Sequence, residues 1–193
     1  MQYYQHLLII GVVAAAVWCL AIYFWPRMLL SVYKRAILVK GFGEGPIPLN
    51  TLYTQSQAGF AEPLSMQTGP RSNSVTAGVN RDTLLTLGWL DLKQEPLILR
   101  VPDMHERFYS LQFTDPSKNT VFAYVGKRTT GTQAGSYLIT GPGWQGQVPA
   151  GLQQISSPNN AVIVIGRVFV ADNRDLPAAY ELSKQIQLGP LSS

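Results

Sequence analysis

The sequence is short of the residues that most often carry chemistry. Cys19 is its only cysteine, and its two histidines are His6 and His105. A lone cysteine excludes an intrachain disulfide, a CxxC redox motif and a thiolate metal site. With His105 the only histidine after the first segment, a His-rich metal site or a His pair is excluded there as well. His105 lies in Pro102-Asp103-Met104-His105-Glu106, which reads as a solvated hairpin turn. No GxSxG occurs, so no nucleophile elbow is encoded. Charge is scarce too: charged residues make up 13% of the chain, where about 25% is usual for a soluble domain.

That scarcity is uneven. Residues 1–25 carry no charged side chain, and Arg27, Lys34, Arg35 and Lys40 all precede the first acid, Glu44. From residue 41 onward there are 11 basic and 11 acidic residues. The net charge of +4 thus belongs to one short segment, which points to a membrane surface and away from nucleic acid. Leu7 to Trp25 is an uninterrupted apolar run. As a helix it spans roughly 29 Å, close to the hydrocarbon thickness of a bilayer. Tyr3, Tyr4, Tyr23 and Trp25 flank it as interfacial aromatics do. No Lys or Arg precedes it and no small-x-small site follows it, against a cleaved signal peptide. Being apolar all round also argues against a core helix. The expectation is a transmembrane helix anchored in the lipid bilayer.

Pro26 comes next. Met28, Leu29, Val32, Tyr33, Ala36 and Ile37 form a helical stripe opposite Ser31, Lys34 and Arg35. This predicts a juxtamembrane amphipathic helix, kinked or restarted at Pro26, or a helix docked on the following domain. Residues 1–40 are therefore read as anchor plus juxtamembrane helix, and 41–78, rich in Gly, Pro, Ser, Gln and Thr, as a linker and irregular entry segment.

Residues 79–193 read as the β domain. Tyr109, Leu111 and Phe113 alternate with Ser110, Gln112 and Thr114; Val121, Ala123 and Val125 alternate with Thr120, Phe122 and Tyr124; Tyr137 and Ile139 alternate with Ser136 and Thr140. Period two predicts three consecutive antiparallel strands, closed by the turns Asp115-Pro116-Ser117 and Gly141-Pro142-Gly143. Thr83 to Leu92, Leu97 to Val101 and Leu152 to Ser156 add strands. Ala161 to Val170 reads as a central strand covered on both faces, with Gly166 a candidate bulge. Arg167 within it is either paired or reaches solvent. Asp175 to Leu188 predicts a helix capped by Asp175, with Pro177 in its first turn, ended by Gly189-Pro190. About seven short strands with appended helices predict a mainly β fold, a β-sandwich.

Gly141, Gly143 and Gly146 spell GxGxxG, but Pro142 interrupts it and Gln147 to Gly151 cannot open a helix, so no dinucleotide site follows. No cofactor is called for. Asp82, Asp103, Glu106 and Asp115 fit turn and cap roles better than a carboxylate pair or cation site. Lys127-Arg128-Thr129-Thr130-Gly131 is either an anion site or a cationic edge that blocks strand addition.

At these residues the chain resembles the bacterial domain-of-unknown-function family 1254. The likeness lies in Asn80-Arg81-Asp82-Thr83-Leu84, Val101-Pro102, Arg107 to Gln112, Asp115, Asn119 to Tyr124, Gly126 and Arg128 to Gly131. It continues in Gly141 to Trp144, Ser157-Pro158-Asn159, Gly166-Arg167 and Asp175 to Ala178, and covers about residues 45–192. The resemblance implies an immunoglobulin-like antiparallel β-sandwich in an exported or envelope protein. Many members carry a second jelly-roll module, of family 1214, after this one. The chain ends at Ser193, so such a module is expected as a separately encoded partner. The family has no agreed reaction, and the reading leans away from an enzyme.

The polar residues singled out as a candidate cluster are Asn80, Asp82, Arg107, Tyr109, Asp115, Asn119, Tyr124, Arg128, Thr129 and Arg167. Three functions follow as expectations: a membrane-anchored partner-binding or assembly module, an enzyme or half-enzyme acting on a small or lipidic substrate at the membrane, and a hydrophobic-ligand carrier. The inner membrane is the expected location. The family tendency to export puts the body in the periplasm, whereas the basic residues after the span favour the cytoplasm.

Overall fold

Pro26 cannot donate a backbone hydrogen bond, yet the first helix runs through it. In the computed structural model, which describes residues 2–41, 45–61 and 82–191, α1 spans Gln2–Lys40 with Pro26 inside it. Neither a break nor a restart occurs. Just beyond the proline, the Arg27 guanidinium donates to the Tyr23 carbonyl at 3.0 Å and lies 3.9 Å from the centre of the Tyr23 ring. The helix is long and apolar enough to cross a membrane. Its Ile, Val and Trp side chains are exposed, and so are Met28, Leu29, Val32 and Tyr33 of the expected stripe.

The chain divides into two compact units, Met1–Pro46 and Ile47–Ser193. The second begins inside the stretch read as a linker. Ile47 is buried, β1 (Tyr53–Thr54) pairs with the strand after it, and α2 (Gln57–Ala61) follows. The rest of that stretch, residues 62–78, lies outside the described residues.

The remaining elements are β2 (Thr83–Asp91), β3 (Leu97–Val101), β4 (Tyr109–Asp115), β5 (Thr120–Gly126) and β6 (Gly135–Thr140). After them come β7 (Gln153–Ser156), β8 (Ala161–Phe169), α3 (Leu176–Lys184) and β9 (Gln187–Pro190). They form an antiparallel sheet of order β1-β2-β8-β4-β5 and a mixed sheet of order β7-β6-β3-β9. The protein is thus mainly β, with an apolar helix near its start and a short helix near its end. Alternation decides which side chains enter the core. Leu84, Leu90, Val162, Val164, Val168, Tyr109, Leu111 and Phe113 from the first sheet share one buried cluster with Leu97, Leu99, Val101, Tyr137 and Ile139 from the second.

Partnerships differ from the sequence reading at several points. Strands β4 and β5 do pair antiparallel, but β6 joins the other sheet, antiparallel to β3 and parallel to β7. The turn after β5, where Thr129 and Thr130 donate their N–H groups to Gly126, directs the chain away. Tyr137 and Ile139 then complete the core from the opposite side. The β3–β4 connection is likewise no hairpin, since those strands lie in different sheets. His105 is exposed there, with a positive φ of 49°.

In β5 the register shifts between Phe113 and Thr114, whose partners are Ala123 and Val121. Phe122 is the extra residue of this bulge. It packs on the core, its ring centre 6.3 Å from that of Phe113, while Val121 turns outward. One added residue has reversed the alternation on one side of the bulge.

Strand β8 is central, as expected, but only one face is fully covered: Val162, Val164, Gly166 and Val168 are buried, whereas Arg167 and Phe169 are exposed. Pairing runs unbroken through Gly166, so no bulge exists there. Close packing explains the glycine. A Cβ on Gly166 would lie 2.6 Å from Leu111 Cδ2 and 2.8 Å from Thr86 Cβ.

The last helix ends at Lys184, before the expected Leu188. Ile186 enters the core, and Gln187–Pro190 takes the free edge of β3. Gly189 and Pro190 disfavour helix, and an unpaired core strand offers hydrogen bonds instead. Asp175 stands at the start of α3 but makes no side-chain cap bond. Its carboxylate is used elsewhere.

Candidate functional site

The candidate residues fall in three places along β4 and its neighbours. Asn80 lies outside the described residues.

The first place is a clamp. Arg107 donates NH1 and NH2 to the two carboxylate oxygens of Asp175 at 2.5 and 2.7 Å, and NH1 to the Phe169 carbonyl at 2.8 Å. Asp175 also accepts the Ala171 N–H at 2.9 Å. The Arg107 hydrogen bonds hold the Asp175 carboxyl down at about 2, against a smaller upward push from burial. This bidentate pair ties the entry of β4 to the exit of β8 and the start of α3. The pair and its backbone bonds engage both carboxylate oxygens and both terminal guanidinium nitrogens, which suits a structural role, although the buried Arg107 Nε has no hydrogen-bond partner among the described residues. Asp82 is nearby in the fold, its carbonyl accepting the Val170 N–H at 2.8 Å.

The second place is the β4–β5 turn, six residues along β4 from Tyr109 and so roughly 20 Å away. Asp115 is buried, and its Oδ1 accepts the Ser117 N–H and hydroxyl and the Asn159 side-chain amide. Burial pushes its carboxyl up, but the hydrogen bonds from Ser117, Asn159 and the Lys118 N–H outweigh this and hold it below the usual range. Asn119 completes the turn in the left-handed region, with φ of 51°. These residues lock the hairpin tip to the loop before β8.

The third place is a pocket of 330 Å³ on the outer face of the five-stranded sheet, lined by Phe108, Tyr109, Ser110, Tyr124, Gly126, Arg128 and Thr129. Four of the candidates (Tyr109, Tyr124, Arg128 and Thr129) meet here. Strand register builds it. Ser110 pairs with Gly126 on β5 and with Arg167 on β8, so Arg167 stands beside the pocket on the same face. Gly126 is required by close approach, since a Cβ there would lie 2.5 Å from the Tyr109 carbonyl oxygen. The Arg128 guanidinium sits 5.6 Å from the centre of the Phe108 ring. Thr129 Oγ1 donates to the Tyr124 carbonyl at 3.2 Å, and the Tyr124 hydroxyl donates to Gln112 Oε1 at 3.3 Å. Arg167 is exposed and donates to Thr83 Oγ1 at 3.3 Å. Among the described residues, no carboxylate lines the pocket.

Tyr109 reaches this wall from the core side. Burial pushes its phenol above the usual range. The Thr130 hydroxyl acts in the opposite direction but is engaged with Gly126, and the phenol oxygen completes no hydrogen bond.

The Lys127–Thr130 segment of the cationic cluster divides likewise. Lys127 is held by Glu106, through the carbonyl at 2.6 Å and the carboxylate at 3.3 Å, while Arg128 and Thr129 line the pocket. Sequence reasoning missed Phe108, Ser110 and Gly126 as pocket residues, and Asp175 as the partner of Arg107. Alternation marks Ser110 and Tyr124 as outward-facing, but only strand pairing makes them neighbours. Gly141, Gly143 and Gly146 lie in a loop with no helix opening at them.

A family model described as "Protein of unknown function (DUF1254)" matches residues 62–190. Among solved structures, the chain is similar to the VPA0106 protein from Vibrio parahaemolyticus, with 26% identity and a TM-score of 0.63. That likeness covers 88% of this chain and 37% of the Vibrio protein, so this chain spans little more than a third of the longer protein's length. An uncharacterised protein from Burkholderia cenocepacia shows a weaker likeness, at 13% identity and a TM-score of 0.37 over 64% of this chain and 32% of that one. No curated protein matches.

Proposed function

Since the chain belongs to the DUF1254 family of proteins of unknown function, whose description prescribes no reaction, we propose from its geometry a membrane-anchored partner-binding module. α1 is the tether, held in the bilayer by its exposed apolar side chains. Its two sheets take the immunoglobulin-like arrangement that the resemblance implies. The docking surface is the outer face of the five-stranded sheet around the 330 Å³ pocket. Its occupant is a protein that presents an acidic group beside an apolar side chain.

One observation carries this reading: Arg128 and Arg167 flank exposed Tyr124 and Phe169 on one face, and among the described residues no acid lines the pocket between them. Arginine beside aromatic rings is the usual composition of an interface centre, and the uncompensated positive charge selects an acidic partner. The scatter of Arg107, Asp115 and Arg167 over separate places withdraws support from a single enzymatic pocket containing them all.

The test is photocrosslinking from position 124 of the full chain in its native membrane. A discrete adduct with one protein, lost when Arg128 and Arg167 are both replaced by Gln, is expected. An adduct indifferent to those replacements, or none, overturns the reading. Reporter fusions at Ser193 decide the side of the membrane, which we place in the periplasm.

A further inference from the structure

The four-stranded sheet carries a second, independent feature on its own outer face. Along β3, Leu97, Leu99 and Val101 enter the shared core, so Ile98 and Arg100 point the other way. Ile98 and its partner Leu138 are nevertheless buried. The parallel β6–β7 pairing requires a crossover, which is residues 141–152. Gly151 from that crossover lines the same groove as Arg100 and Ser136, which places the crossover on this outer side. It leaves the Arg100 end of the sheet open.

There the groove has a volume of 570 Å³. Arg100 stands at its centre, between Ser136 on β6 and Gln187 on β9 in direct register. Gln185, Gly135 and Gly151 also line it, together with the apolar Val101, Pro102 and Ala134. Among the described residues, no carboxylate lines the groove. Arg107 has Asp175, Lys127 has Glu106 and Arg167 has Thr83. Among the described residues, no side-chain hydrogen bond or ion pair engages Arg100. Its backbone is tied into the ladder on both sides, so its Cα stays in the middle of the sheet beside the groove.

We propose that this groove is a binding site for a small oxyanion, a carboxylate or a phosphate. The guanidinium fork takes two oxygens in parallel, and the Ser136 hydroxyl and the Gln185 and Gln187 side-chain amides supply neutral donors around the rest. Three neutral donors and one cation suit a singly charged group better than a dense polyanion. The phosphate could be free or belong to a lipid headgroup, since both present the same oxygens.

The experiment is a titration of the full chain in uncharged detergent with inorganic phosphate and, separately, acetate. Chloride at matched ionic strength is the control, and the backbone amide signals of Ser136 and Gln187 are the readout. Saturable shifts with either oxyanion but not with chloride are expected. Arg100→Gln should weaken binding about tenfold or more, as loss of a charge-assisted pair does. Arg100→Lys should recover only part of it, because the planar fork is lost. Bilayer discs with and without phosphatidylglycerol distinguish the sources: a shift of the same amides only with the anionic lipid assigns the headgroup. Equal responses to chloride and the oxyanions in both settings, or Arg100→Gln binding as well as the parent, overturn the proposal. Arg100 is exposed, so unfolding of the variant is not expected, and unchanged signals from core amides check this.

Discussion

Phe24 in α1 is 55% exposed, whereas Phe113 in β4 is completely buried. The same contrast runs through the two units. Apolar side chains of α1 face outward along the helix, while those of β2, β4 and β8 face a common core. Hydrophobicity alone therefore does not specify burial within the chain. A single helix has no second layer to cover it, while two sheets supply one another with that layer. By length and composition α1 is a helix that could cross a membrane.

Paired substitutions put this contrast at risk. Phe113→Ala should lower the stability of the body by about 3–5 kcal/mol through cavity formation. Phe24→Ala should change the body's unfolding by less than about 0.5 kcal/mol. Chemical denaturation of both variants in detergent is the measurement, and similar losses in the two would break the comparison.

Glycines give the next contrast. A Cβ at Gly11 meets nothing within 4 Å, whereas one at Gly166 meets Leu111 and Thr86 well inside contact distance. Gly166→Ala should cost the body about 1–3 kcal/mol through overpacking, and Gly11→Ala should leave its unfolding midpoint unchanged.

Among arginines, Arg107 is clamped by Asp175 and Arg27 lies along its own helix. Arg107→Ala should destabilise the body by about 2 kcal/mol, between the values for exposed and buried pairs. Arg27→Ala should not register in the body's unfolding curve. The clamp also sets a pH dependence. The folded Asp175 carboxyl titrates at about 2, below its ordinary 3.8. Its contribution is therefore complete above about pH 4 and is lost as pH falls toward 2. Denaturation across that window should show a steeper loss in the parent than in Arg107→Ala. Asp115, also held low, keeps part of the slope in both.

The smallest effect has the opposite sign. Among the described residues the buried Tyr109 hydroxyl has no hydrogen-bond partner, so Tyr109→Phe should stabilise the body by about 1 kcal/mol, read from the shift in the unfolding midpoint. A loss of similar size would mean that the hydroxyl is engaged after all.

Local patterning was enough to locate β2 through β8: period two marked β4, β5 and β6, and short apolar or β-branched runs between turn residues marked the others, signals that do not depend on what each strand pairs with. The two-residue β1 is too short to show a period, and the helix-like run Ala179, Leu182, Ile186 concealed the change to β9. The same limit applies to the candidate site. Tyr124, Arg128 and Thr129 were legible as outward-facing polar residues at a strand end, and the pocket does contain them. Arg107 was legible as polar, but its partner lies 68 residues away, where Asp175 carried the local signature of a helix cap.

The amino-acid sequence by itself determined that the Leu7 to Trp25 part of α1 is apolar all round, that the body is built of short strands, and that cysteine and histidine are nearly absent. Those properties depend on composition and near-neighbour spacing. Tertiary structure alone decided that β6 leaves β5 for β3, that Phe122 displaces Val121 from the core side, and that Arg100 stands between Ser136 and Gln187 with no side-chain partner among the described residues. Each of these results from a competition between distant segments for hydrogen-bonding edges and buried volume, and no local window of residues contains both competitors.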